Sequence, residues 1–141
     1  MKAISPVIAT VIIVAVTIAI AVAVALWLTG MVSPFTTVEN LQIISAVPTK
    51  TTTSFSVTIT IKNTGTSTAT IDGVFINGKY YKLTEVTDAG ADSVSIDPGS
   101  TKTIIVDLSK TTGQSFSSGQ MVEIKFHTAS GKEYPKTVTL P

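Results

Sequence analysis

The chain has no cysteine, no arginine and one histidine in 141 residues. Without cysteine there is no disulfide, no thiolate metal site and no cysteine nucleophile. Without arginine the positive charge rests on ten lysines, and beyond Lys2 nine lysines face nine acids. A neutral region of that kind lacks the basic surface on which nucleic-acid binding depends, so nucleic acid is not expected as a partner. His127 cannot build a histidine-based zinc centre alone. A Ser/His/Asp triad would have to use it, and the sequence places no nucleophile beside it. Gly-rich phosphate loops and G-x-S-x-G are missing too. Asp88, Asp92 and Asp97 fall together in "DAGADSVSIDPG", but their spacing matches no calcium loop and reads as turn chemistry. No catalytic site, metal or cofactor is expected, and the chain does not read as an enzyme.

Charge itself is missing from one end. After Lys2 no charged residue occurs until Glu39. The mean hydropathy of the chain, +0.44, owes its sign to the first 32 residues. Val7 to Val32 is broken only by Thr10, Thr17, Thr29 and Gly30. As a helix it spans roughly 39 Å at about 1.5 Å per residue, more than the roughly 30 Å hydrocarbon core of a bilayer. It is too long for a strand. Its apolar residues fall on every face, so lipid or other helices must surround it. Ser5-Pro6 fits a helix start, and Gly30 followed by Ser33-Pro34 is expected to end the helix. Valine and isoleucine are mediocre helix formers in water, which suits a segment whose backbone has no alternative partner. Ala15, Ala19 and Ala23 recur four apart on one stripe, and Ala21 and Ala25 make another. Such spacing lets helices approach closely, so these five alanines are the candidate helix-packing residues.

From Leu41 the hydrophobic period becomes two. Phe55, Val57, Ile59 and Ile61 alternate with Ser56, Thr58, Thr60 and Lys62, and Val122, Ile124 and Phe126 alternate with polar residues likewise. Further strands are expected near Ala69–Ile71, Gly73–Ile76, Lys79–Val86, Thr101–Leu108 and Tyr134–Leu140. Asn77-Gly78 marks a two-residue hairpin, Asp97-Pro98-Gly99 a turn, and Lys62-Asn63-Thr64-Gly65 another. The expectation is an α+β chain: a long N-terminal hydrophobic α-helix over 1–40, then an antiparallel immunoglobulin-like β-sandwich over 41–141. Serine and threonine number 38. That density favours strands, and it offers candidate O-glycan carriers at Thr51, Thr52, Thr53, Thr66 and Thr68. N-glycosylation is not expected, because Gln42, Gly65 and Lys79 stand two places after Asn40, Asn63 and Asn77.

The apolar run is too long for a secretory signal, and no clear A-x-A cut site follows it. Lys2-Ala3 directly precedes it. In "KAISPVIATVIIVAV" the chain resembles archaeal type IV pilins, whose precursors are cut before the apolar segment, between a basic and a small residue. The resemblance covers about the first 30 residues. It implies cleavage between Lys2 and Ala3 by a prepilin peptidase, with the helix retained. It implies a membrane-inserted precursor, then extraction by pilus assembly machinery into an extracellular homo-oligomeric filament with the helices as its core. Bacterial relatives usually carry a Glu soon after the cut; Ile4, Ser5, Pro6 and Val7 stand here, which leans toward archaea. The function expected is therefore a structural subunit of an adhesive surface filament. The alternatives are a signal-anchored monomeric surface protein whose sandwich binds a ligand or partner, and an archaellum subunit. The last fits less well, since "AISPVIATV" is not a Gly-rich start.

Overall fold

The computed structural model describes residues 5–141, with side chains outside 33–36. The chain divides into two compact units, one ending at Thr37 and the other running Val38–Pro141.

The first unit is a single helix, α1 (Pro6–Thr36), 31 residues long. Ser5 occupies the N-cap position with extended backbone, but its hydroxyl makes no capping bond; its carbonyl accepts from the Ala9 amide at 3.1 Å. The helix does not stop at Gly30 or at Ser33-Pro34 as the sequence suggested. It ends at Thr36, two residues after Pro34.

The second unit is a sandwich of antiparallel strands. They are β1 (Leu41–Lys50), β2 (Phe55–Asn63), β3 (Ala69–Ile76), β4 (Lys79–Lys82), β5 (Val94–Ile96), β6 (Thr101–Asp107), β7 (Met121–Thr128) and β8 (Glu133–Thr139). One sheet has the order β1-β2-β6; the other has the order β4-β3-β7-β8, with β5 also pairing with β3. The alternation read from the sequence is the one observed: Val57, Ile59, Ile61, Ile104 and Val106 from the first sheet meet Ile71, Val74, Val122, Ile124 and Phe126 from the second in a continuous buried core. One edge of each sheet, β1 and β8, carries guards against strand addition. Pro48 and a bulge between Ile43 and Ser45 interrupt β1, and Pro135 sits in β8.

Three details depart from the sequence reading, each for a local reason. Residues 69–76 form one strand rather than two, because the register shifts between Ile71 and Gly73. A strict period of two would turn Val74 and Ile76 outward; the bulge at Asp72 restores their inward phase, and both are fully buried. Residues 83–86, expected as strand, form one helical turn, α2 (Leu83–Val86). Leu83 and Val86 are three apart and both buried, which a helical turn achieves and a strand does not. β5 was not expected at all; three residues are too few to show a period. The Asn77-Gly78 hairpin is as read, with both residues at positive φ (49° and 82°). The Asp97 turn closes with the Ser100 amide donating to the Asp97 carbonyl at 3.0 Å.

Candidate functional site

α1 is an exposed apolar surface along most of its length. From Pro6 to Val32 it offers 27 residues long and apolar enough to cross a membrane. Its large side chains, from Val7 and Ile12 through Val16 and Ile20 to Leu26 and Met31, are exposed on every face. In water that surface would be costly at about 25 cal/mol per Å². The three threonines between Pro6 and Val32 meet the converse requirement as well, since their hydroxyls need no outside partner. Thr10 Oγ1 donates to the Val7 carbonyl (2.8 Å), Thr17 Oγ1 to that of Ile13 (2.6 Å) and Thr29 Oγ1 to that of Ala25 (2.6 Å). A hydroxyl satisfied within its own helix can face hydrocarbon or another helix without leaving an unpaired donor.

The five alanines singled out in the sequence, Ala15, Ala19, Ala21, Ala23 and Ala25, all lie within α1 and are exposed. Ala15 floors a shallow notch walled by Thr10, Val11, Val14 and Ile18, a concavity of the kind that admits a neighbouring helix. Lys2 and Ala3 lie outside the described residues. Trp27, 64% exposed near the far end of the apolar run, drew no attention in the sequence. An indole there has the amphipathic character that places Trp at a membrane–water interface.

On the sandwich the other candidates separate. Thr51, Thr52 and Thr53 are exposed in the β1–β2 turn. Thr66 and Thr68 are not equivalent to them: Thr66 Oγ1 accepts from the Val38 amide (2.9 Å) and Thr68 Oγ1 donates to Asp97 Oδ1 (3.0 Å). The three loop aspartates are used singly. Asp88 pairs with Lys110 Nζ (2.8 Å), Asp92 accepts from Thr84 Oγ1 (3.3 Å) and Asp97 from Thr68. Among the described residues no three His, Asp or Glu side chains gather as a metal site. His127 is half-buried rather than simply exposed. Its Nδ1 lies 2.6 Å from Asp72 Oδ1, the residue turned outward by the β3 bulge. Phe75 packs edge-on against both His127 and Tyr80, and Tyr80 lies over Gly73, where a Cβ would meet its ring. On the same face Lys125 pairs with Glu133 at 3.0 Å. This hydrogen bond is the main reason the Lys125 pKa is raised above the ordinary lysine value, and Asp88 raises that of Lys110 in the same way. These pairs tie β3, β7 and β8 together on this face of the sheet.

Fold and surface thus define a class: a membrane-length apolar helix joined to a neutral, separately cored β-sandwich. No protein-family model matches the sequence, and no curated protein matches it. Solved structures do. The chain is similar to the archaeal flagellum of Methanospirillum hungatei strain JF1, at 18% identity over 95% of this chain and 88% of that one, with a TM-score of 0.53. It is also similar to the archaellum periplasmic stator protein FlaG from Sulfolobus acidocaldarius, at 24% identity over 72% of this chain and all of that one, with a TM-score of 0.49. The first likeness shows a shared fold along nearly the whole of both chains.

Proposed function

We propose that this chain is a structural, non-catalytic subunit of an archaeal type IV pilus-like surface filament, inserted in the membrane before assembly and extracellular afterwards. The observation that carries this reading is α1: charge-free, apolar on every face, and with the hydroxyls of Thr10, Thr17 and Thr29 satisfied internally. Exchanging lipid tails for neighbouring helices costs such a surface little, because lipid is about as apolar as leucine. Close packing at the alanine stripes then decides in favour of the bundle. A heterologous contact that does not close into a ring extends it into a homo-oligomeric filament. Cleavage between Lys2 and Ala3 by a prepilin peptidase, and extraction by pilus assembly machinery, belong to the same reading. Among the O-glycan candidates, Thr51, Thr52 and Thr53 lie in an exposed turn, while Thr66 and Thr68 are exposed but already hydrogen-bonded. The role we assign is adhesion. An archaellum-type filament is the second reading, favoured by the fold likeness to the archaeal flagellum over nearly the full chain.

Electron microscopy of sheared surface material, with antibody against the sandwich, tests the proposal. Labelled filaments whose subunit begins at Ala3 are the expected result. A chain found only as a monomer in detergent-extracted membranes overturns it in favour of a signal-anchored surface protein. Deleting the chain then separates the two filament readings, since loss of attachment marks a pilus and loss of swimming an archaellum.

A further inference from the structure

Residues 38–40 precede β1, yet one end of the sandwich holds them by their backbone. Val38 donates its amide to Thr66 Oγ1 at 2.9 Å, and its carbonyl accepts from the amides of Thr66 (2.7 Å) and Ser67 (3.3 Å). The Asn40 carbonyl accepts from the Thr64 amide (2.8 Å), and the Asn40 side chain donates to Thr64 Oγ1 (2.8 Å). From the β7–β8 turn, Lys132 Nζ donates to the Glu39 carbonyl at 2.5 Å. Gly65 is pressed so closely on the Val38 carbonyl and the Asn40 amide that a Cβ there would overlap backbone atoms of both. Its φ is not positive, so this close approach, rather than turn conformation, is what requires glycine.

The loop that grips these residues is itself anchored. Asn63, fully buried, donates its side-chain amide to the Ser67 and Ile96 carbonyls (2.8 Å each) and accepts from the Gly65 amide (2.9 Å). Its backbone exchanges bonds with Ser100 and Gly99 in the turn between β5 and β6. Residues 38–40 are therefore tied to the β2–β3 loop, through it to the β5–β6 turn, and separately to the β7–β8 turn. Those connections belong to both sheets.

We propose that the Asn63–Ser67 loop is a force-transmitting strap, which fixes Val38 as the point where the folded sandwich begins and divides traction arriving from the helix between both sheets. Without it, a pull would fall on Leu41↔Asn63, the first pair of an edge strand, and a ladder loaded at its end opens one bond at a time. The strap adds several bonds that must break together before that pair is loaded. It serves equally whether the helix is held by a bilayer or by other helices, so it does not rest on the function proposed above.

Hydrogen exchange and single-molecule pulling on the full chain in detergent micelles test it. In the unaltered chain the amides of Val38, Thr64 and Thr66 should exchange more slowly than those of Thr52 and Thr53 in the exposed β1–β2 turn. Gly65→Ala, which forces residues 38–40 away, should speed their exchange by about tenfold, the loss of one to two ordinary hydrogen bonds. Thr66→Val, which keeps the side-chain shape and removes the acceptor, should do the same at Val38 and covers the case that Gly65→Ala misfolds. Amides shared between β3 and β7 should not change. With handles on the two chain ends, both variants should rupture at lower force. Strap amides that exchange as fast as the turn in the unaltered chain overturn the proposal. So does Thr66→Val leaving exchange unchanged, or speeding it without lowering the rupture force.

Discussion

Replacing Asn63, itself fully buried, with alanine removes three hydrogen bonds. The Ile96 carbonyl is left buried and unpaired, at a cost of about 1–3 kcal/mol, while the part-buried Ser67 carbonyl and Gly65 amide can regain water and forfeit about 0.5–1.5 kcal/mol each. The sum, about 2–6 kcal/mol, is a large share of the roughly 5–15 kcal/mol that holds an ordinary domain folded. At about 4 °C per kcal/mol for a domain of this size, the melting temperature should fall by roughly 8–24 °C. The assay is convenient because the three tyrosines, Tyr80, Tyr81 and Tyr134, all lie in the sandwich and the one tryptophan, Trp27, lies in α1. Tyrosine fluorescence during urea unfolding in detergent reports the sandwich, and tryptophan reports the helix. Asn63→Asp sharpens the test. At neutral pH it keeps an acceptor, loses both donated bonds and buries a charge, so it should be at least as damaging as alanine. Lowering the pH through its burial-raised pKa should recover part of the loss, because the protonated acid can donate one bond again. A cost for Asn63→Ala below about 1 kcal/mol, or an aspartate variant as stable as the parent at neutral pH, would refute the reasoning.

Three other outcomes are expected. Ala19→Lys should cost on the order of 2.5–3.5 kcal/mol on membrane-insertion scales and abolish assembly; normal filaments from it would remove Ala19 from the helix-packing surface. Gly73→Ala should cost about 1 kcal/mol by swinging Tyr80 off Phe75, an edge contact now at 5.2 Å between ring centroids. The same change in a Tyr80→Ala background should cost almost nothing, and an unchanged cost measured by urea unfolding would place the strain elsewhere. Burial, countered by the Leu41 backbone and reinforced by the Glu39 carboxylate, raises the Tyr134 pKa above the ordinary tyrosine value. The unfolded chain therefore releases this proton first. The stability linked to it is complete below about pH 10, the ordinary tyrosine pKa, and is lost as pH rises beyond it. Lys110 and Lys125 shift in the same direction and add to that alkaline loss. Tyr134→Phe should make the fall of the urea midpoint above pH 10 shallower; an identical slope would exclude Tyr134 as a contributor.

What the sequence made legible was whatever repeats. α1 announces itself because thirty-six consecutive positions between Lys2 and Glu39 carry no charge, and Val57, Ile59 and Ile61 announce β2 because period two is the geometry of a pleated strand. Where two demands compete, the pattern fails. At Asp72 the core needs Ile71 and Val74 on the same side, so the strand admits an extra residue and its sequence looks like two short strands. At Leu83–Val86 the core needs residues three apart, so a run rich in strand formers turns helical. The strap is illegible for another reason. Its bonds join Val38 to Thr66, Asn63 to Ile96 and Glu39 to Lys132, and nothing local in "KNTG" distinguishes an anchored loop from an ordinary turn. The same contrast explains how the chain divides its work. α1 has no tertiary core of its own and must take its stability from lipid or from other chains, so its sequence is governed by composition, which can be read. The sandwich is self-sufficient and owes its boundary at Val38 to long-range contacts, which cannot. On the function proposed, a substitution that keeps α1 apolar should therefore be judged by filament assembly, and one at Asn63 or Gly65 by how firmly the sandwich holds the chain that leads into it.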